Sequence, residues 1–178
     1  NSIFIGLDGD FAPWVGELIV DVKTPILLVV PKHRVEEAVT RLSRIGFDHT
    51  LGYLEGGVEA WKNSGKETGS LESISAEEFS KVYPAHKDKV FDVRKQSEYL
   101  SEHVEDAHNV PLGFINDHLA EFNKDHMYIH CAGGYRSVIA ASILKSRGIH
   151  NLTDVKGGFK AIKATSVKTT DYVCPSTL

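Results

Sequence analysis

Short apolar runs alternate along this chain with segments of helical period. Residues 26–30 form a strand-sized run, and Val35, Ala38, Val39, Leu42 and Ile45 then fall on one face of a helix predicted over 35–45. Gly46-Phe47 closes that helix. Residues 50–54 predict a second strand, and Gly56-Gly57-Val58 follows. The same order recurs later. Residues 127–130 predict a strand, a glycine-bearing loop follows, and the apolar segment 138–144 predicts a helix opening near Ser137. Arg147-Gly148-Ile149, a strand over 152–155 and Gly157-Gly158-Phe159 complete the set.

The spacing of the markers points to a duplicated unit. Gly157 lies 101 residues after Gly56, Arg136 lies 102 after Arg34, and Asn109-Val110-Pro111-Leu112-Gly113 matches Phe4-Ile5-Gly6-Leu7-Asp8 at 105. The second copy opens at Ser75-Ala76-Glu77-Glu78, which has the form of a capping box, and residues 90–93 predict a buried strand. No counterpart of residues 75–93 precedes Asn1, so the first copy lacks an opening helix and a central strand, about 30 residues in all. We therefore expect the chain to be the C-terminal part of a longer protein. Residues 63–70 are polar and glycine-punctuated, as a linker would be. The expected architecture is α/β: an incomplete domain over 1–68 and a complete one over 69–178, each with a mostly parallel sheet flanked by helices.

Composition narrows the function. Hydrophobic residues make up 42% of the chain, enough to bury a core, and 20 Lys and Arg stand against 24 Asp and Glu, which gives no basic surface for nucleic acid. No apolar run is long enough to span a bilayer and no secretory signal is present, so neither a membrane nor a nucleic-acid partner is expected. With only two cysteines, Cys131 and Cys174, a reducing cytoplasm is the expected setting. The histidines, among them His103, His108 and His118, lack the spacing of a metal site, so no metal is expected.

Chemistry concentrates in Cys131-Ala132-Gly133-Gly134-Tyr135-Arg136-Ser137. Between a strand end and a helix start, such a loop wraps backbone N–H groups around one point, at which the helix dipole is also aimed. A thiolate at Cys131 is stabilised there, glycine allows N–H groups to approach the sulfur, and Arg136 adds fixed charge. Arg136 either hydrogen-bonds loop carbonyls or recognises substrate charge; Ser137 reads as the helix N-cap. His130 precedes the nucleophile, and strand alternation turns it away into a structural role. The cradle suits either a phosphoryl group or a single sulfur atom. Cysteine phosphatases use Cys-x5-Arg, whereas Cys131 to Arg136 is one residue tighter, which favours sulfur.

This loop resembles that of rhodanese-like sulfurtransferases. So do its flanks: Asp92-Val93-Arg94 with Glu98-Tyr99, His103-Val104, Ala107-x-Asn109-Val110-Pro111-Leu112 and Gly157-Gly158-Phe159. The resemblance implies sulfur transfer through a covalent Cys131 persulfide without a cofactor, from donors such as thiosulfate or glutathione persulfide to a thiol or cyanide. Asp92, Arg94 and Glu98 read as an ion-pair set supporting the loop. A cysteine phosphatase or arsenate reductase, and a non-catalytic interaction module, are the competing readings. Cys174 is expected to be an idle thiol rather than a disulfide partner of Cys131.

In the first copy, counting back from Arg34 puts Val29 opposite Cys131, and Pro31 removes one N–H, so that copy cannot react. Phe11-Ala12-x-Trp14-x-Gly16 resembles the tandem rhodanese portion of metallo-β-lactamase-fold fusion proteins, a group that includes persulfide dioxygenases. The resemblance implies an upstream domain of that kind; Phe11 and Trp14 are expected to pack between the two copies.

Overall fold

The computed structural model describes residues 2–174. Two compact units emerge. One is Ile5–Ser70; the other takes the chain from Leu71 onward together with the N-terminal residues through Phe4, whose N–H donates to Ser142 Oγ at 2.9 Å.

The Ile5–Ser70 unit is built on two parallel strands, β1 (Ile26–Leu28) and β2 (Thr50–Tyr53). Its helices are α1 (Phe11–Leu18), α2 (Val35–Ser43) and α3 (Gly57–Asn63). Ala38 and Leu42 of α2 pack with Phe11, Val15, Leu28 and Phe47 into one core. Phe11 therefore serves the core of its own unit. The apolar face of α2 is narrower than its pattern implies, since Val39 is exposed. Gly46 ends the helix at φ +86°, with its N–H on Ser43 O and that of Phe47 on Leu42 O; glycine occupies this left-handed angle without strain.

The larger unit has five parallel strands: β3 (Glu72–Ile74), β4 (Val90–Asp92), β5 (His108–Asn109), β6 (Met127–His130) and β7 (Leu152–Val155). They are ordered β3-β7-β6-β4-β5, which puts β6 at the centre. Helices α4 (Ala76–Val82), α5 (Gln96–Ser101), α6 (Tyr135–Ser146) and α7 (Gly158–Ile162) complete the α/β arrangement. Every residue of β4, β6 and β7 is buried, as expected for parallel strands covered on both faces. Phe79 and Tyr83 near α4, Tyr128 and Val155 on the sheet, and Phe159 and Ile162 on α7 form the core of one face. The capping box at Ser75 is present: its Oγ accepts the Glu78 N–H at 3.1 Å and Glu78 accepts its N–H at 2.8 Å. Among the described residues no helix is long and apolar enough to cross a membrane, and no group of His, Cys, Asp and Glu side chains is placed to hold a metal.

Candidate active site

Cys131 leaves the carboxyl end of the central strand, where open parallel sheets gather their ligands. Its side chain is 1% exposed. The Gly134 N–H donates to Sγ at 3.1 Å, and Gly134, at φ +104°, is the residue from which α6 starts. The sulfur thus faces a backbone donor at the amino end of a twelve-residue helix, an arrangement that stabilises negative charge.

Two backbone hydrogen bonds from α7 clasp the loop from the other side. Phe159 N–H reaches Cys131 O at 2.6 Å and Lys160 N–H reaches Ala132 O at 3.1 Å. The Gly157-Gly158 pair makes this approach possible: both residues are left-handed, and a Cβ on Gly158 would overlap Cys131 O. The doublet was visible in the sequence, but its contact with the loop was not.

The charged residues separate into two pairs. Arg94 binds Asp92 through Nε at 2.8 Å and Nη2 at 2.6 Å, and its Nη2 also donates to Glu102 O at 2.8 Å. Asn109 Nδ2 bridges the Asp92 and Arg94 carbonyls at 2.9 and 3.1 Å. Burial pushes the Asp92 carboxyl up, but the charge and hydrogen bonds of Arg94 offset this and hold it below its ordinary range. Arg94 is the counter-charge, because burial drives His130 towards its neutral form. Glu98 belongs to the other pair: its carboxylate accepts Arg136 Nη1 at 2.6 Å and Nη2 at 2.9 Å. The Arg136 guanidinium holds Glu98 below the usual carboxylate range, and Glu98 raises Arg136 in turn. In place of a loop carbonyl, these two nitrogens donate to the Glu98 carboxylate.

Ser137 differs from its expected place as the N-cap. The helix starts at Tyr135, and Ser137 sits in its first turn with Oγ donating to Gly134 O at 3.3 Å. The N-cap is Gly134, because the turn after Gly133 needs a left-handed residue. Ala132, Gly133 and Tyr135 complete the loop, with Cys131 and Ser137 as its most buried members. His130 is fully buried, with Nδ1 3.4 Å from Cys131 O and Nε2 without a hydrogen-bond partner. Of the other histidines, His103 stacks on Tyr99, His118 pairs with Glu121, and His108 lies exposed on β5.

Asp154 was missed. It lies buried on β7, one carboxylate oxygen has no hydrogen-bond partner, and burial raises it above its ordinary range against the pull of Ser137, Lys156 and Ser73. An acidic residue inside the apolar run 152–155 was the available signal. Cys131 and Cys174 are both thiols, the second exposed.

Ile26, Leu27 and Leu28 face Thr50, Gly52 and Tyr53 as Met127, Tyr128 and Ile129 face Leu152, Thr153 and Asp154. Two residues beyond Leu28, as Cys131 stands two beyond Ile129, is Val30. Leu51, between Thr50 and Gly52, is a bulge residue in β2.

Comparison with known proteins agrees with this geometry. The family model described as the rhodanese-like domain matches residues 75–165, half of the chain. The chain belongs to the rhodanese-like family. YqhL of Bacillus subtilis is 32% identical over 91 residues, 51% of this chain and 71% of that protein. YrkF of the same organism, whose description proposes a sulfur carrier, is 32% identical over 101 residues, 56% of this chain and 55% of its own length. A rhodanese-related protein from Thermoplasma volcanium superposes with a TM-score of 0.51 at 25% identity, covering 56% of this chain and 98% of that one. At family level the chemistry is sulfur transfer.

Proposed function

We propose that this protein is a sulfurtransferase that carries sulfane sulfur as a persulfide on Cys131. The observation that supports this best is the buried Cys131 sulfur, held 3.1 Å from the Gly134 N–H in a loop clasped by α7. The thiolate attacks the sulfane sulfur of a donor. With thiosulfate the S–S bond breaks and sulfite leaves with the bonding pair; with an organic persulfide a thiolate leaves. The outer sulfur of the Cys131 persulfide then passes to a thiol or to cyanide, which regenerates the thiolate. Sulfur moves with no external oxidant or reductant, and no cofactor is required. The loop neutralises the charge that alternates between the two sulfur atoms, its one side-chain cation being tied to Glu98.

Phosphoryl transfer is disfavoured because the ring from Cys131 to Arg136 lacks the additional residue of the phosphatase loop. The test is thiosulfate- or glutathione-persulfide-dependent thiocyanate release by the protein and by Cys131→Ser. Equal rates would remove the assignment.

Within this proposal, Ile5–Ser70 is an inactive copy of the same fold. Several local features support the duplication. Gly46 and Gly148 both end helices at φ +86° and +88°. Gly56-Gly57 and Gly157-Gly158 are both left-handed pairs, and a Cβ on Gly56 or Gly157 would lie 2.7 Å from the Cβ of Ala60 or Ala161 respectively. Arg34, where Arg136 stands in the second copy, pairs with Asp8 and Glu37. Val30 and Pro31 in the loop rule out thiolate chemistry there, which leaves an interaction or packing role. The segment around Phe11 and Trp14 supports a metallo-β-lactamase-fold neighbour upstream, acting with this chain in the cytoplasm on shared persulfides.

A further inference from the structure

We propose that Glu98 sets which sulfur donors the Cys131 loop accepts, by clamping the Arg136 guanidinium and cancelling the positive charge of the loop; this rests on the sulfur-transfer reading above. Arg136 is the one cationic side chain within the loop itself, in the first turn of the helix whose N-cap, Gly134, donates to the Cys131 sulfur. Both of its terminal nitrogens are committed to Glu98, at 2.6 and 2.9 Å. Glu98 does not drift to that position. It occupies the first turn of α5, where Oε2 also accepts the Lys95 N–H at 3.2 Å. The other guanidinium nearby, on Arg94, is equally committed to Asp92. Charges around the loop therefore cancel in pairs. Lys95 and Lys160 are exposed, and solvent screens them.

Thiosulfate and organic persulfides place different demands on such a site. Thiosulfate approaches a thiolate as a dianion and releases sulfite, also a dianion, so its transition state needs positive charge that is not already spent. A protonated persulfide presents an uncharged terminal S–SH and releases a single thiolate. Backbone donors such as the Gly134 N–H suffice for it. A clamped Arg136 therefore favours organic persulfides over thiosulfate. Glu98 touches neither sulfur nor substrate in this scheme; it is a positioning residue that acts through Arg136.

The test measures second-order rate constants for loading sulfur onto Cys131, followed by intact mass, with thiosulfate and with 2-hydroxyethyl persulfide. Glu98→Gln keeps the shape of the side chain and its backbone hydrogen bond but removes the charge. We expect it to raise the thiosulfate-to-persulfide ratio about tenfold or more, the worth of one charge-assisted contact. An unchanged ratio, or an equal fall with both donors, overturns the proposal. Wild-type protein supplies a second reading that needs no variant. Its thiosulfate loading should hold or rise with ionic strength, because a dianion meets a thiolate, whereas a steep fall with added salt would reveal uncompensated positive charge and overturn the proposal. Wild type that loads sulfur with an unmoved donor ratio defeats this inference alone; wild type that loads from neither donor defeats the sulfur-transfer reading and this inference with it.

Discussion

Replacing Gly158 with alanine puts a methyl group where the Cys131 carbonyl already sits. The new Cβ would also lie 2.8 and 2.9 Å from the carbonyl carbon and oxygen of Ala132. All three obstacles are backbone atoms, so no side chain can swing away. The left-handed angle, φ +58°, costs a non-glycine residue about 1–2 kcal/mol by itself. Relief of the overlap requires opening the clasp, which forfeits the Phe159 and Lys160 hydrogen bonds at about 1 kcal/mol each. The expected destabilisation is roughly 3–4 kcal/mol in all. Transfer should fall about a hundredfold, because the Cys131 carbonyl must move on the order of 1 Å. Gly57→Ala is the control: φ is +59°, and its Cβ meets nothing within 4 Å, so only the backbone cost of about 1–2 kcal/mol applies. Guanidinium unfolding measures the stability of both variants, and iodoacetamide alkylation of Cys131, now 1% exposed, reports the loop without reference to activity. If Gly158→Ala matches Gly57→Ala in stability and alkylates at the wild-type rate, the clasp does not hold the loop.

Three further perturbations test the supports of the site. Asp92→Asn leaves the buried Arg94 guanidinium with a neutral partner and should cost about 3–5 kcal/mol in chemical denaturation; a loss under about 1 kcal/mol would show the pair to be dispensable. His130 is held below its ordinary value of 6.5, with burial the largest cause, so the unfolded chain binds its proton first as pH falls. Its stability contribution is intact above about pH 6.5 and is lost on acidification below it, and His130→Gln should flatten that part of the profile of melting temperature against pH. Ser75→Ala removes the cap of α4 and should lower stability by about 1 kcal/mol while leaving Cys131 loading unchanged.

Much of this was legible before any coordinates. The strands at 127–130 and 152–155 were readable because parallel strands buried on both faces become uninterrupted apolar runs. Ser75 and Glu78 announced α4 because a capping box is local chemistry. Helix α1 passed unnoticed: Pro13 and Gly16 break its pattern, although a proline in the first turn removes no hydrogen bond the helix needs. The partner of Arg136 could not be derived from periodicity or spacing, since Glu98 lies 38 residues away and meets it only after β4 and β6 pair. The bulge at Leu51 was equally hidden, because a one-residue insertion in a strand leaves no mark in composition. Cys131 could be found because strand, glycine loop and helix are adjacent in sequence. Its clasp by α7 could not, because that contact is made by backbone atoms.

The most direct test of the account is the intact mass of the protein after brief exposure to a sulfane donor and removal of the excess. The account predicts a gain of one sulfur atom, located by peptide mapping at Cys131, absent in Cys131→Ser, and released as thiocyanate on addition of cyanide. Loading on Cys174 alone, or a mass that never changes while the fold remains intact, would contradict it.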